Sequence, residues 1–477
     1  MKIKSIIAVF ILLLSSCGKS FVELTPEGSI PVSSYYQTES DIKAALTGAY
    51  GSLRTIYNNY WQFFEVPSDN TQTFGESEAG YGPMDKLTYQ ATTTNVSTGW
   101  SNAYATIAYC NAILDNIDNV TMTDAAKAQY VGEAKFLRAL MYFDLVRMFG
   151  GVPLVLKSIT TEAEAYTYLR STDTEVYTQI ETDLTEAATG LPDSYTSTSD
   201  IGRATSGAAK SLLGRVYIQE KKWSLAETVL AEVIASGNYQ LLSDVANVFA
   251  SGNDNNAEIV FAVQYISGGY GLGNSFSYSF APQTSGTTIV SITAASSNIG
   301  TQDLYDSFET GDVRKDMIGV FQNGSNVNIY YWTKKFVDAT VTASNEGAND
   351  WPVIRYADVL LMYAEALNNN GKTTEAINYI NMTRTRAGLT ALSGLSQDDT
   401  QLALEKERRA ELCYEGFRWP DLIRWGKAIS VMTDFKANYT YLDAAIQNMY
   451  INENVLLLPI PYREITLNPN LTQNPGY

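Results

Sequence analysis

Between Gly207 and Gly237 two runs of apolar residues recur at helical spacing. Ala208, Ala209, Leu212, Leu213, Val216 and Tyr217 make the first; Ala226, Val229, Leu230, Val233 and Ile234, after Trp223, make the second. Stripes at i, i+3 and i+4 are single faces of amphipathic helices, so the segment predicts two helices facing each other. Leu213-Gly214, Tyr217, Ala226 and Leu230 add the spacing of a tetratricopeptide unit, in which small residues let paired helices approach and large ones fill between them. The pattern returns at Tyr356 to Arg384, where Tyr356, Val359, Leu360, Tyr363 and Leu367 form a stripe and Ala364, Ala376 and Ile380 take the repeat positions. The predicted fold class is mostly α, a tetratricopeptide-like helical scaffold with loop-rich insertions and a few short strands.

Thr38-Glu39-Ser40-Asp41 offers a Ser/Thr cap with an acid three positions on, which starts the first helix near Thr38 or Ser40 and carries it through Ile42, Ala45, Leu46 and Ala49. Residues 238–349 break the helical pattern with irregularly spaced Gly, Ser, Thr, Asn and Tyr around one strand-like run, Glu258 to Val263. A second loop-rich, aromatic-bearing stretch lies between Tyr57 and Thr98. Loops held on a rigid scaffold are where binding concentrates.

Composition removes several function classes. The 477 residues hold 51 Asp and Glu against 33 Lys and Arg, a net charge of −18 that opposes binding to nucleic-acid phosphates or anionic lipid. The histidine count is zero, which excludes from this chain a Ser-His-Asp triad, a Cys-His pair and a His-ligated zinc or haem.

The first residues read as a signal peptide over 1–16: Lys2 and Lys4, an apolar run from Ile6 to Leu14, then Leu14-Ser15-Ser16 before Cys17. The run is shorter than the roughly 20 residues that span a bilayer, and small residues before a cysteine resemble a bacterial lipoprotein site. Lipidated Cys17 is therefore expected as the membrane anchor, with a tether that begins at residues 17–20 and reaches Ile30. No second apolar stretch long enough to span a bilayer follows. Cys110 and Cys413, the two other cysteines, sit in helix-like apolar surroundings and read as buried free thiols, with no metal-ligand spacing.

Several segments in order resemble the SusD/RagB family, surface lipoproteins that partner TonB-dependent transporters in Bacteroidetes-type bacteria. They are Phe21-Val22-Glu23-Leu24-Thr25-Pro26; Gly132-Glu133-Ala134-Lys135-Phe136-Leu137-Arg138-Ala139 through Tyr142 to Arg147; Phe149-Gly150-Gly151-Val152-Pro153-Leu154; Arg355-Tyr356-Ala357-Asp358 through Ala366; Arg384 to Leu389; Glu407 to Leu412; Glu415-Gly416-Phe417-Arg418-Trp419-Pro420-Asp421 through Trp425; and the ending Gln473-Asn474-Pro475-Gly476-Tyr477. The resemblance implies a SusD-like N-terminal part over 21–237 and a SusD/RagB C-terminal part over 238–477. It implies an outer-membrane lid facing outward on a SusC-like transporter, capturing oligosaccharides or, in some members, peptides, without catalysis. Gly18 to Glu23 lack the dense acidic run that often accompanies surface export, so outward facing rests on the resemblance alone.

Sugars present apolar C–H faces and hydroxyl edges, so a glycan site wants exposed aromatics beside orienting polar groups. In the first loop region Tyr60, Trp61, Phe74 and Tyr81 flank Asp69 and Asn70, an acid-amide pair in a turn-like Pro67-Ser68-Asp69-Asn70 setting. In the second, Tyr265, Tyr270, Phe276 and Tyr278 lie among Gly268, Gly269, Gly271 and Gly273. Trp332, after Tyr330-Tyr331 and before Lys334-Lys335-Phe336, reads as a strand edge and is the last candidate ligand contact. The helical aromatics Tyr142, Tyr217, Tyr363, Trp425 and Trp100 read as packing, and the alternating charges from Glu407 to Arg424 as an ion-pair network locking helices. No cofactor is expected, and bound calcium is left open.

Three readings stand on these residues. The first is a substrate-capturing subunit of an uptake complex, with peptide cargo as its variant. A hydrolase would need two carboxylates held roughly 5–10 Å apart across a sugar, and no spacing singles out such a pair among the 51 acids. A protein-protein scaffold fits the repeats but leaves both aromatic loop regions unexplained.

Overall fold

Thr38 caps the first long helix as its sequence predicts. Its Oγ1 accepts from the Asp41 N–H, and the Asp41 carboxylate accepts from the Thr38 N–H at 2.8 Å. In the computed structural model, which describes residues 35–74, 80–322, 324, 329–438 and 448–477, this helix is α1, Glu39–Tyr57. Cys17, the signal segment, the tether and the Phe21 to Pro26 motif lie outside the described residues.

Eight further long helices follow: α2 Thr94–Asn116, α3 Asp124–Phe149, α4 Asp173–Gly190, α5 Ser206–Gln219, α6 Trp223–Ala235, α7 Tyr356–Asn369, α8 Thr373–Arg386 and α9 Gln397–Leu412. Each contacts the next in chain order from α1 to α9, so the helices form a continuous array. The pairs read from the sequence are α5 with α6 and α7 with α8. Gly214 of α5 lies against Leu230 of α6 so closely that a Cβ there would sit 2.4 Å from Leu230 Cδ2. One core cluster draws on both halves of the chain, from Ile42 to Ile460, so the insertion is packed onto the array. Among the described residues no helix is long and apolar enough to cross a membrane.

The strands are short. β1 Thr71–Gln72, β3 Ile299–Gly300, β4 Ile318–Gln322 and β5 Ile329–Thr333 form one antiparallel sheet in the order β1-β3-β5-β4. β2 Ile259–Val263, inside the strand-like run, pairs with β6 Trp351–Arg355, which runs straight into α7. Trp332 therefore stands on an inner strand, not an edge, because β3 pairs with β5 on one side and β4 on the other.

Buried ion pairs fasten the insertion to the array. Arg355 donates to Glu258 at 2.9 Å, to Glu411 at 2.7 Å and to Glu415 at 2.7 Å, all fully buried. Lys335, just past β5, donates to the Glu411 and Cys413 carbonyls and to Glu415. Asp358 of α7 joins Arg215 of α5 to Arg408 of α9 at 2.7 and 2.9 Å. Each of these buried charges has its counter-charge, the condition under which charge survives in a core.

Candidate functional site

The C-terminal end of α1 gathers the two loop regions. Asn58 Oδ1 accepts from the Ser275 N–H at 2.8 Å, and Tyr265, in the same insertion, donates its hydroxyl to the Arg54 carbonyl. Tyr81, from the first region, reaches Asn59 Oδ1 and stacks at a tilt against Trp61, centroids 4.8 Å apart. Segment Ala295 to Asn298 then knits them together. Ala295 N–H donates to the Tyr278 carbonyl at 2.7 Å, Ser297 N–H to the Ser279 carbonyl at 2.7 Å, and Phe74 N–H to the Ser296 carbonyl at 3.0 Å.

Period-two alternation along β5 places Tyr330 and Trp332 on one face of the sheet. Phe74 lies 4.8 Å and Phe321 of β4 6.4 Å from the Tyr330 ring, so four aromatics share this face. A Cβ at Gly319 would sit 2.2 Å from the Trp332 ring, and the missing side chain lets the indole lie across β4. Phe74, Phe321 and Trp332 are half-buried while Tyr330 is buried.

Tyr270 is 72% exposed and Tyr278 37% exposed. Tyr270 tops the glycine loop, whose shape needs positive φ at Gly268, Gly269 and Gly271. The loop base is held by Glu346, which accepts from the Gly268 and Gly269 N–H groups at 2.7 and 2.9 Å; the Gly269 and Gly268 bonds hold its carboxyl below the usual range.

The remaining predicted contacts are corrected by burial. Trp61 and Phe276 are fully enclosed, Trp61 against Tyr81 and Phe280, Phe276 against Phe336 and Trp351; they are core side chains. Tyr265 is buried on Phe276, which with its lost solvation drives its hydroxyl pKa well above the usual value. Asn70 is fully buried, its Nδ2 donating to Glu65 and its Oδ1 accepting from Arg409. Asp69 is buried in ion pairs with Arg418 and Arg409; burial alone would raise its carboxyl pKa, but the two guanidinium charges outweigh it and hold the group down to about 2. None of these five side chains has surface left for a ligand.

One residue of this aromatic face escaped sequence reading. Phe321 is found only through its register opposite Tyr330. Asn298 is fully buried between the Tyr278 turn and β3 with neither its amide nitrogen nor its oxygen hydrogen-bonded to protein, and on the neighbouring strand Gln72 Oε1 is likewise unpaired. Among the described residues no group of three or more Cys, Asp or Glu side chains is placed to hold a metal ion. The arrangement offers exposed and half-buried aromatic surface, suited to binding a polyhydroxylated ligand by stacking.

Residues 320–477 match a family model described as the SusD family, and residues 21–218 match one described as starch-binding, associating with the outer membrane. SusD-like protein P25 of Formosa agariphila is 28% identical across the full length of both chains. A solved laminarin-binding SusD-like protein is 30% identical and superposes with a TM-score of 0.80 over 93% of this chain and 100% of its own. A SusD homologue of Bacteroides thetaiotaomicron, 25% identical, superposes with a TM-score of 0.82 over 95% of this chain and all of its own.

Proposed function

This chain belongs to the SusD family, and from that premise we propose that it is a cell-surface glycan-binding protein of a nutrient-uptake system, anchored in the outer membrane through lipidated Cys17 and delivering oligosaccharides to a SusC-like TonB-dependent transporter. The observation that carries the reading is aromatic surface open to solvent in two places: exposed Tyr270 and Tyr278 in the insertion, and half-buried Phe74, Phe321 and Trp332 on the sheet face. Tyrosine and tryptophan rings give apolar area to a sugar face at little entropic cost. The relatives support the cargo class: a laminarin-binding protein is among the similar structures, and one matching family is described as starch-binding. Both descriptions are of binding proteins, which favours capture without turnover.

Calorimetry on the full chain in detergent, titrated with laminari- and malto-oligosaccharides and with a tryptic peptide mixture, tests the reading. Saccharide heat with no cleavage product by mass spectrometry supports it. Heat from peptides alone moves the cargo to peptide, and released sugars overturn capture without turnover. Labelling with radioactive palmitate, lost in Cys17→Ala, tests the anchor, and co-purification of a TonB-dependent transporter tests the partner.

A further inference from the structure

A cleft of about 470 Å³ opens on the helical array where the ends of α5 and α7 and the starts of α6 and α9 meet the short helix α10, Arg418–Arg424. It shares no residue with the loop face. Its volume falls within the roughly 300–1,000 Å³ of small-molecule sites.

Two indoles line it: Trp223, the first residue of α6, and Trp425, immediately after α10. Trp425 is held in place on two sides. Its Nε1–H donates to Glu365 at 2.9 Å, and the Arg424 guanidinium lies 4.7 Å from its ring centroid. A ring fixed before binding loses little freedom when a ligand stacks on it.

The polar wall narrows the ligand class. Asn369 donates its amide to the Glu365 carbonyl, Gln397 to the Asn368 carbonyl and Gln401 to Glu405, so these three amides keep their carbonyl oxygens as acceptors. The charges cancel in pairs: Arg424 with Glu365 at 2.8 Å, Lys427 with Glu405 at 2.8 Å. Lys221 and Asp398, of opposite sign, complete the lining. A wall of indole faces, carbonyl acceptors and balanced charge fits a neutral ligand rich in hydroxyl donors with an apolar face.

We infer that this cleft is a second saccharide-binding subsite, built from the helix pairs and separate from the loop face. The inference rests on the glycan-capture reading for the sugar tried first, but not for the location.

Calorimetry on the full chain in detergent with laminarihexaose and maltohexaose separates the two. The expected wild type binds with two sites per chain. Tyr270→Ala with Tyr278→Ala weakens one class roughly tenfold, and Trp223→Ala weakens the other tenfold or more. Gln401→Arg, which fills the cleft from its rim without deleting a core side chain, does the same while melting with the wild type. One site per chain that both cleft variants leave intact, or two sites untouched by both cleft variants, overturns the inference and leaves the loop face standing. Loss of all binding in the cleft variants with none in the loop variant overturns the loop face and keeps the cleft. Heat only from a tryptic peptide mixture, abolished by Gln401→Arg, assigns the cleft to a protein segment and overturns it, as does silence toward both hexasaccharides.

Discussion

Arg418 grips Asp69 at two points, its Nε and Nη2 each donating to one carboxylate oxygen at 2.8 Å across 349 residues of sequence. Arg409 adds a third contact at 2.9 Å. This ties the first loop region to the α9–α10 corner and commits Asp69 to structure. Removing one partner of a buried pair leaves the other charge unpaired at a cost of about 3–5 kcal/mol. Asp69→Ala is expected to lower unfolding free energy in urea by that amount while saccharide affinity, measured on the folded protein, stays as in wild type. A lost affinity with unchanged stability would return Asp69 to the ligand.

The same contact gives a pH signature. Burial works against the Asp69 carboxylate, but Arg409 and Arg418 hold its pKa to about 2 in the folded protein, below the roughly 3.9 of an unfolded Asp. A depressed folded pKa contributes stability that is complete above the unfolded value and lost as pH falls through the folded one. The stability gap between wild type and Asp69→Asn should therefore be constant above about pH 5 and shrink between about pH 4 and pH 2. Urea titrations across that range measure it.

The error over Asp69 and Asn70 shows where sequence reading stops. A turn of Pro, Ser, Asp and Asn among aromatics looks the same whether it faces solvent or an arginine hundreds of residues away. The charges from Glu407 to Arg424 did read as a network, yet their partners were invisible: Arg314, Arg355, Asp358, Asp69 and Glu365 come from other elements, and only Arg408–Asp421 and Asp421–Arg424 close within the stretch. The helix pairs were legible because 3.6-residue periodicity and small-large spacing are local signals. The sheet face was not, since Phe321 and Phe74 meet Tyr330 only through antiparallel register.

Tyr270 and Tyr278 carry the exposed part of the loop face, and neither ring forms part of the core. Tyr270→Ala is expected to leave the melting temperature unchanged, since exposed substitutions away from special features stay within about 0.5 kcal/mol. The double variant should weaken saccharide binding at that face roughly tenfold, about 1.4 kcal/mol. Calorimetry beside a thermal melt checks both, and unchanged affinity would move the site off these rings.

Gly214 tests the helix pairing. Its missing Cβ would sit 2.4 Å from Leu230 Cδ2 and 2.6 Å from Leu230 Cγ, and Leu230 is fully buried. Gly214→Ala would gain helix propensity but overpack the α5–α6 contact, for a net loss of about 1–3 kcal/mol in a well-packed core. Adding Leu230→Ala should recover part of the loss, because the second change empties the volume the first one fills. Urea unfolding of the two single variants and the double variant gives the coupling; additive losses would mean the helices do not meet at these residues.

Cys110 in α2 and Cys413 at the end of α9 are free and buried, and burial raises their thiols to about 12 and about 11. The thiolate is the reactive form, so at pH 8 both have little of it and no access for a reagent. Cys413 further spends its Sγ–H on the Ala410 carbonyl at 3.6 Å. An aromatic disulfide reagent at pH 8 should modify neither in the native protein and both after denaturation, with native labelling no faster than unfolding. Rapid labelling of one thiol in native buffer would require a local opening of α2 or of the α9–α10 corner. Because that corner also holds Asp69 through Arg418, Asp69→Ala should speed labelling of Cys413 and leave Cys110 at its unfolding-limited rate.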